Sequence, residues 1–175
     1  MLKGENVILT EIRLDDSKTL YSWINNAELV RWNAPYMPVA SAQHALWFDR
    51  LGADSSRVAF AIREASDGPP IGIVQLIDVH SVHRSAEITI RIGDEGHRGK
   101  GLGAEAIRLV TEFAFDDLNL QRLWLRVFHT NGRAIKAYQN AGFEIEGTMR
   151  RAAFIKGGWL DVIVMAILRG GSEPS

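Results

Sequence analysis

The chain has 175 residues, with 20 Lys or Arg, 21 Asp or Glu and no Cys. This length predicts one domain, and a composition of 46% hydrophobic and 23% charged residues is typical of a folded globular protein. A formal net charge of −1 removes the simple electrostatic case for coating DNA or an anionic bilayer, so we expect no nucleic-acid or membrane partner. The lack of Cys excludes disulfides, thiolate metal sites and a Cys nucleophile. It fits a reducing compartment, and with no apolar targeting segment at the start of the sequence it predicts a cytoplasmic location.

In chain order, the first third predicts a strand followed by two helices. Residues 6–13 have a strand-like pattern, and Asp15 or Asp16 can cap the helix that follows. Residues 27–38 are irregular and contain proline, and Ser41 is the predicted cap of the second helix. The aromatic residues that cluster in this third are expected mostly in the core, with the rest in the wall of an acceptor pocket: Trp23, Trp32, Tyr36, Trp47 and Phe48.

The middle of the chain predicts a hairpin and then a strand with two distinct faces. Residues 58–63 and 71–77 are strand-like and are joined by turn-forming residues at 66–70. Residues 86–92 alternate between isoleucine and polar side chains. One face should carry Ile88, Ile90 and Ile92, and the other Glu87, Thr89 and Arg91.

The last part predicts the longest helix, a further strand, a short helix and a terminal hairpin. A glycine-rich bend at 93–103 leads into a helix with one apolar stripe. Residues 123–127 predict a strand, Asn131 caps a short helix that ends at Gly142, and two strands flank the turn at 157–158.

The order of elements, β-α-α-β-β-β-α-β-α-β-β, predicts an α+β or mixed α/β fold. Since the sequence has no repeat, linker or low-complexity block, we expect a single domain over residues 1–169. Residues 170–175 are expected to form a flexible tail.

The bend, His97-Arg-Gly-Lys-Gly-Leu-Gly-Ala104, is the most informative segment. The first turn of a helix has unpaired N–H groups and the positive end of the helix dipole, and glycines let that backbone close on an anion. Arg98 and Lys100 add positive charge. The segment therefore predicts a phosphate site, with a plain tight turn as the alternative.

Two families of phosphate-binding loops fit poorly. A Walker P-loop needs glycine where Asp94 stands and Ser or Thr where Gly101 stands. The letters Gly99-x-Gly101-x-x-Ala104 match a dinucleotide fingerprint, but the bend follows Ile92 by several residues. The next strand also ends in Val127-Phe-His129, where that fold needs an acidic ribose ligand. A nucleotide-binding oxidoreductase is therefore disfavoured.

The segment Arg98-x-x-Gly101-x-Gly103 resembles the pyrophosphate loop of the GNAT superfamily of acetyl-CoA-dependent N-acetyltransferases, which has the form Gln/Arg-x-x-Gly-x-Gly/Ala. The motif alone is weakly specific. A later block, Val127 to Phe143, resembles the family's signature after the fifth strand, with Asn, Ala-Ile, Tyr and Gly-Phe in register. The resemblance covers essentially the whole chain, and residues 146–150 and 157–161 look like the RimJ/RimL branch.

The resemblance implies a central, mostly antiparallel twisted sheet of about seven strands with about four flanking helices, splayed at the fourth and fifth strands. It also implies acetyl-CoA as co-substrate, with pantetheine pairing along the fourth strand and the pyrophosphate held by the bend. The cofactor-binding residues would then be Ile90, Ile92, Arg98, Gly99, Lys100, Gly101, Leu102, Gly103, Ala104 and Asn131.

Tyr138 is the first catalytic candidate. It follows Asn131 by seven residues, two helical turns, so the two lie on one face of the short helix. By resemblance, Tyr138 protonates the departing thiolate and Asn131 contacts the pantetheine arm. The alternatives are a core aromatic residue and a simple helix cap.

Glu87 is the second catalytic candidate. It lies opposite the isoleucine face of a central strand, where an unpaired carboxylate would be costly to bury. A partly buried Glu with a raised pKa could take the proton of the substrate ammonium. An ion pair with Arg84 or Arg91 is the alternative.

Other motifs are weaker. His80-x-x-His83 near Asp78 has residue types that can bind a metal ion but no assigned fourth ligand, so no metal is predicted. His83-Arg84 before Ala86-Glu87 resembles polyamine acetyltransferases, whereas Ser41-x-x-His44-x-x-Trp47-Phe48 resembles amino-sugar members. These two resemblances imply different acceptors.

Together these features predict an N-acetyltransferase that moves the acetyl group from acetyl-CoA directly to a primary amine in a ternary complex, since no Cys can carry it covalently. The acceptor stays open between a protein N-terminus, a polyamine and an amino sugar. The alternative is a catalytically silent acyl-CoA-binding module. The resemblance also implies a homodimer.

Overall fold

A computed structural model describes residues 1–32 and 37–171. Over those residues it has eight strands: β1 (Leu2–Lys3), β2 (Ile8–Thr10), β3 (Val58–Arg63), β4 (Gly72–His80), β5 (Ser85–Ile92), β6 (Arg122–Phe128), β7 (Glu144–Ile155) and β8 (Gly158–Leu168). The α-helices of the same ranges are α1 (Ser17–Ile24), α2 (Ala27–Val30), α3 (Ser41–Arg50), α4 (Leu102–Asp116) and α5 (Gly132–Asn140). None of these helices has the length and apolarity needed to cross a bilayer.

All eight strands form one sheet in the order β1-β2-β3-β4-β5-β6-β8-β7. Every neighbouring pair is antiparallel except β5 and β6, which are parallel and are connected through α4. The parallel pairing covers only Ser85–Glu87 against Arg122–Trp124, and the two strands then separate. The predicted α+β class and the splay between these two strands are confirmed.

Both faces of the sheet are covered, as the alternation along β4 shows. Val74 and Leu76 belong to the main core together with α4, whereas Ile73 belongs to a second cluster with Leu20, Trp23 and Leu29. The apolar stripe predicted for the long helix packs in the main core, where Ile107, Leu109, Val110 and Ala114 are buried and Phe113 and Leu118 are partly buried. Helix α4 therefore covers one face of the sheet, and α1 to α3 pack on the other.

The N-terminal elements differ in detail from the prediction. The first predicted strand is limited to Ile8–Thr10, and Leu2–Lys3 adds an edge strand beside it. Ser41 is the first residue of α3 instead of its cap, because the Gln43 side chain accepts the Ala40 N–H at 3.0 Å. The predictions that concern Tyr36 and residues 172–175 fall outside the described residues, so the domain and tail boundaries remain predictions.

Asp16 also differs from its predicted role as a side-chain cap of α1. Its carboxylate is buried and forms an ion pair with Arg63 at 2.5 Å, while the Arg13 N–H donates to the same oxygen at 2.7 Å. Arg63 further donates to Thr10 Oγ1 at 2.9 Å and to the Gly68 carbonyl at 2.6 Å. This buried network joins the end of β3 to the loop before α1 and to the hairpin turn.

We predict that Asp16→Asn lowers the free energy of unfolding by about 3–5 kcal/mol, because it leaves the Arg63 guanidinium buried without a counter-charge. Urea unfolding monitored by circular dichroism measures the change. The matched control is Glu112→Gln, which breaks the exposed Arg108–Glu112 pair on α4 and should cost about 0.5 kcal/mol or less. Equal losses in the two variants would contradict the structural role of the buried pair.

Candidate active site

A cleft opens where β5 leaves β6. Beyond Glu87, β5 is still paired with β4 through Ile92, but its other edge has no partner strand within residues 1–32 and 37–171. An unpaired edge presents backbone N–H and C=O groups that an extended, amide-containing ligand can bind as an added strand. Ile90 and Ile92 lie in this unpaired stretch, and their partly buried side chains pack on the main core.

The glycine-rich bend has the backbone geometry of an anion site. Gly99 and Gly101 have φ angles of 78° and 83°, in the left-handed region that favours glycine. Gly101 is the N-cap of α4, and the first intrahelical bond runs from the Glu105 N–H to the Gly101 carbonyl. The three N–H groups ahead of that bond face out of the helix end, those of Leu102, Gly103 and Ala104.

The two basic residues of the bend have different roles. Arg98 donates from Nε to the Ile92 carbonyl at 3.2 Å and from Nη2 to the Gly93 carbonyl at 2.7 Å. Its guanidinium thus fastens the bend to the end of β5. Lys100 is exposed and is free of that constraint.

A third basic residue, Arg133, was not foreseen from the sequence. Its Nη1 lies 3.6 Å from the place that a Cβ on Gly99 would occupy, so the start of α5 brings a guanidinium to the bend. The sequence carries no local signal for this approach, because it depends on how β6 and α5 fold back beside α4.

The bend is also anchored on the opposite face of the sheet. A Cβ on Gly93 would lie only 2.0 Å from the Trp23 ring, so this ring and the backbone at the end of β5 are in direct contact. Only glycine permits that approach. The position of α1 and the position of the bend are therefore coupled.

Helix α5 carries Asn131 and Tyr138. Asn131 is the N-cap, and its Oδ1 accepts the Ala134 N–H at 3.3 Å. Tyr138 packs on the main core, with its ring centroid 6.0 Å from that of Phe143. Burial raises the pKa of the Tyr138 phenol to about 12, so the hydroxyl keeps its proton at neutral pH and can donate it.

Glu87 stands at the last paired position of β5, opposite Trp124 of β6. Its carboxylate is buried and accepts two hydrogen bonds from Arg126, from Nε and Nη2, each at 2.9 Å. Hydrogen bonding to Glu87 raises the pKa of the Arg126 guanidinium. An ion pair is thus present, with Arg126 in place of the predicted Arg84 or Arg91.

The two predicted partners of Glu87 are engaged elsewhere. Arg84 donates from Nε to the Asn119 carbonyl at 2.7 Å. Arg91 lies on the same face of β5 as Glu87 but points to a neighbouring cavity. Sequence alone could not select Arg126, because the choice depends on the register between two strands that are far apart in the chain.

A cavity of about 370 Å³ lies between α1, α3 and the polar face of β4 and β5. Thr89 and Ile90 contribute to its wall, so the cavity reaches the unpaired stretch of β5. Two predicted aromatic wall residues, Trp23 and Trp47, line it. The full lining is Leu20, Trp23, Ile24, Val39, Gln43, His44, Trp47, Arg57, Ile73, Gln75, Ile77, Thr89, Ile90 and Arg91.

The His80 and His83 pair forms a local turn. The two rings are stacked with centroids 4.1 Å apart, and His80 Nδ1 accepts the His83 N–H at 3.1 Å. Within residues 1–32 and 37–171, no three His, Asp or Glu side chains are grouped so as to hold a metal ion.

Comparison with known proteins identifies a family and several similar enzymes. Residues 6–144 match the family described as the acetyltransferase (GNAT) domain. Spermidine N(1)-acetyltransferase of Escherichia coli K12 is 32% identical over 171 residues, covering 97% of this chain and 89% of its own. The probable N-acetyltransferase YjcK of Bacillus subtilis is 39% identical, with 99% of each chain covered.

Solved structures show the same architecture. A crystal structure of spermidine N-acetyltransferase from Vibrio cholerae in complex with CoA and spermine superposes with a TM-score of 0.87 at 28% identity, covering 95% of this chain and 97% of that one. A dodecameric structure of the Vibrio cholerae enzyme has a TM-score of 0.80 at 28% identity, with 94% of each chain covered.

The chain belongs to the GNAT acetyltransferase family. It is an acetyl-CoA-dependent N-acetyltransferase that acts on amines, with acetyl-CoA as its co-substrate. The narrower expectation of a RimJ/RimL branch is not supported, since the relatives include spermidine acetyltransferases instead.

The predicted base role of Glu87 can be tested against its ion pair with Arg126. We expect Glu87→Gln to keep the acid limb of the pH profile of kcat/KM, because a guanidinium holds both carboxylate oxygens and stays charged across the assay range. Loss of that limb would instead establish Glu87 as the titrating base. Glu146→Gln, which breaks the bidentate Arg122–Glu146 pair between β6 and β7, is the matched control.

Proposed function

We propose that this chain transfers the acetyl group directly from acetyl-CoA to a primary amine bound in the cavity beside β5. One observation carries the proposal: a single unpaired stretch of β5 connects the two halves of the site. Thr89 and Ile90 line the cavity, and the Ile92 carbonyl is hydrogen-bonded to Arg98 of the bend. An acyl donor that pairs with this stretch has its anionic end at the bend and its acyl end beside the cavity.

The cofactor-binding roles follow from this arrangement. The pantetheine arm pairs with backbone at Ile90 and Ile92, and Asn131 contacts it from α5. The N–H groups from Leu102 to Ala104 hold the pyrophosphate in the left-handed loop made by Gly99 and Gly101, together with Lys100. Arg98 is a positioning residue, because its hydrogen bonds are to the backbone of β5. Arg133 adds a second cation near Gly99.

Tyr138 is the proposed general acid. The buried phenol keeps its proton at neutral pH and can donate a hydrogen bond to the departing thiolate, which stabilises the negative charge on sulfur. As the carbon–sulfur bond breaks, the phenol proton passes to sulfur, and the proton released by the attacking amine restores the phenol. Direct transfer fits the composition, since the chain has no Cys to form an acyl-enzyme.

We predict that Tyr138→Phe lowers kcat at least tenfold while the affinity for acetyl-CoA is nearly unchanged, because a positioned proton donor is worth about 10² to 10⁴ in rate. Thiol release measures turnover, and calorimetric titration measures binding. Tyr21→Phe makes the same chemical change on α1, outside the cavity lining, and should leave both nearly unchanged. Full turnover in Tyr138→Phe would remove it as the acid.

The function itself is tested by thiol release from acetyl-CoA across a panel of amines that includes a peptide N-terminus, spermidine and an aminoglycoside. Turnover with at least one amine supports the proposal. Tight binding of acetyl-CoA without thiol release for any amine would favour a silent acyl-CoA-binding module.

We also infer that the chain self-associates through β7. In the described part of the chain this 12-residue edge strand pairs with β8 alone, and large apolar side chains are exposed on the hairpin: Ile145, Met149, Phe154 and Trp159. Such an edge is ordinarily covered or blocked.

We predict that Phe154→Ser combined with Trp159→Ser lowers the mass measured by sedimentation to that of the monomer. An unchanged assembly in the double variant, or a monomeric parent protein, would refute this interface.

A further inference from the structure

We propose that the acceptor amine carries an anionic group, a carboxylate or a phosphate, on an apolar body. This inference rests on the proposed function and defines its substrate class. An acceptor of this class differs from the acceptors of enzymes that act on polycations.

The charge of the cavity points to an anion. Among the residues that the structure describes, its lining contains two guanidinium groups, Arg57 and Arg91, and no Asp or Glu. A bound polyamine would bring two or more ammonium groups toward two arginines, and none of the described lining residues is a carboxylate that could neutralise them.

Arg91 supports an anionic acceptor more strongly than Arg57 does. Its side chain lies largely inside the protein, and its Nε is buried without a hydrogen-bond partner among the described residues. Burial without a counter-charge lowers the pKa of this guanidinium, although it remains protonated at neutral pH. Burial of the Arg91 Nε without an acceptor is costly, and an anionic ligand that accepts a hydrogen bond from this guanidinium in the cavity would remove that cost.

Arg57 is held in place from two sides. Its Nη1 donates to Gln75 Oε1 at 2.9 Å, and its Nε lies 3.7 Å from an Asp54 oxygen. Gln75 also lines the cavity, whereas Asp54 does not. Arg57 is therefore preorganised and partly compensated, so it supplies a second, weaker attraction for the anion.

The rest of the cavity defines the body of the acceptor. Most of the lining is apolar and two indole rings contribute to it, which favours an alkyl or aromatic chain. Thr89 and Arg91 are two residues apart on one face of β5, about 6.4–6.8 Å along the strand. An amine that reaches the unpaired stretch near Thr89 can therefore place its anion at Arg91 across a short spacer.

Matched acceptors test the proposal. The probes are 6-aminohexanoate, hexylamine and 1,6-diaminohexane, which differ in the charge at the far end of one alkyl chain, with the shorter ω-amino acids and diamines covering other spacings. Phenylalanine and phenylalaninamide form an aromatic pair. Phosphoethanolamine and ethanolamine distinguish a phosphate from a carboxylate. At equal chain length, we expect kcat/KM to be highest for the amine with an anionic far end, lower for the neutral one and lowest for the cationic one. The anionic and cationic acceptors should differ by at least tenfold.

A variant at the proposed anion site sharpens the test. Arg91→Gln should raise KM for the anionic acceptors about tenfold or more and leave KM for the neutral amines within about threefold, with kcat little changed. Arg108→Gln removes the same charge from the exposed face of α4 and should change neither. If Arg91→Gln fails to fold, Arg57→Gln carries the same prediction with a smaller shift.

The outcomes separate the two proposals. Two results would overturn the anionic acceptor and leave the acetyltransferase mechanism intact. One is turnover that is fastest with spermidine or the diamines. The other is an equal rise in KM for anionic and neutral acceptors in Arg91→Gln. Absence of thiol release with every amine, despite binding of acetyl-CoA, would overturn the proposed function itself.

Discussion

The separation of β5 from β6 is the constraint on which the rest of the site depends. Two parallel strands that stayed paired along their whole length would leave no free backbone for a ligand. Here the pairing ends at Glu87, and the Glu87–Arg126 ion pair bridges the strands at that point. Because both oxygens of a buried carboxylate are held by the neighbouring strand, the place where the strands separate is fixed by side-chain chemistry as well as by register.

One strand also couples the two ends of the site. The polar face of β5 lines the cavity, and its C-terminal end is tied to the bend by Arg98. The contact between Gly93 and Trp23 adds a second connection, from the bend to the helix that walls the cavity. A change in the position of α1 would therefore also move the bend at the N-terminus of α4, although the two helices lie on opposite faces of the sheet.

Local pattern was sufficient to predict most of the elements. The alternation at 86–92 indicated both faces of β5, and Asn131 is the cap of α5 as its position before a helical segment suggested. Partners that are distant in sequence could not be obtained this way. The pairs Glu87–Arg126 and Asp16–Arg63 and the approach of Arg133 to Gly99 all depend on strand register or on the packing of helices. Resemblance was sufficient for the family, whereas the finer assignment to the RimJ/RimL branch is not supported by the comparisons.

The unpaired edge of β5 has a consequence for how the protein behaves in the cell. A free strand edge is a template for intermolecular pairing, and a co-substrate that occupies it acts as a removable ninth strand. If acetyl-CoA pairs with this edge as proposed, it binds the native state alone, and the melting temperature should rise with the intracellular level of the acyl donor. The metabolic supply of that donor would then govern the lifetime of the enzyme against proteolysis and aggregation as well as its rate.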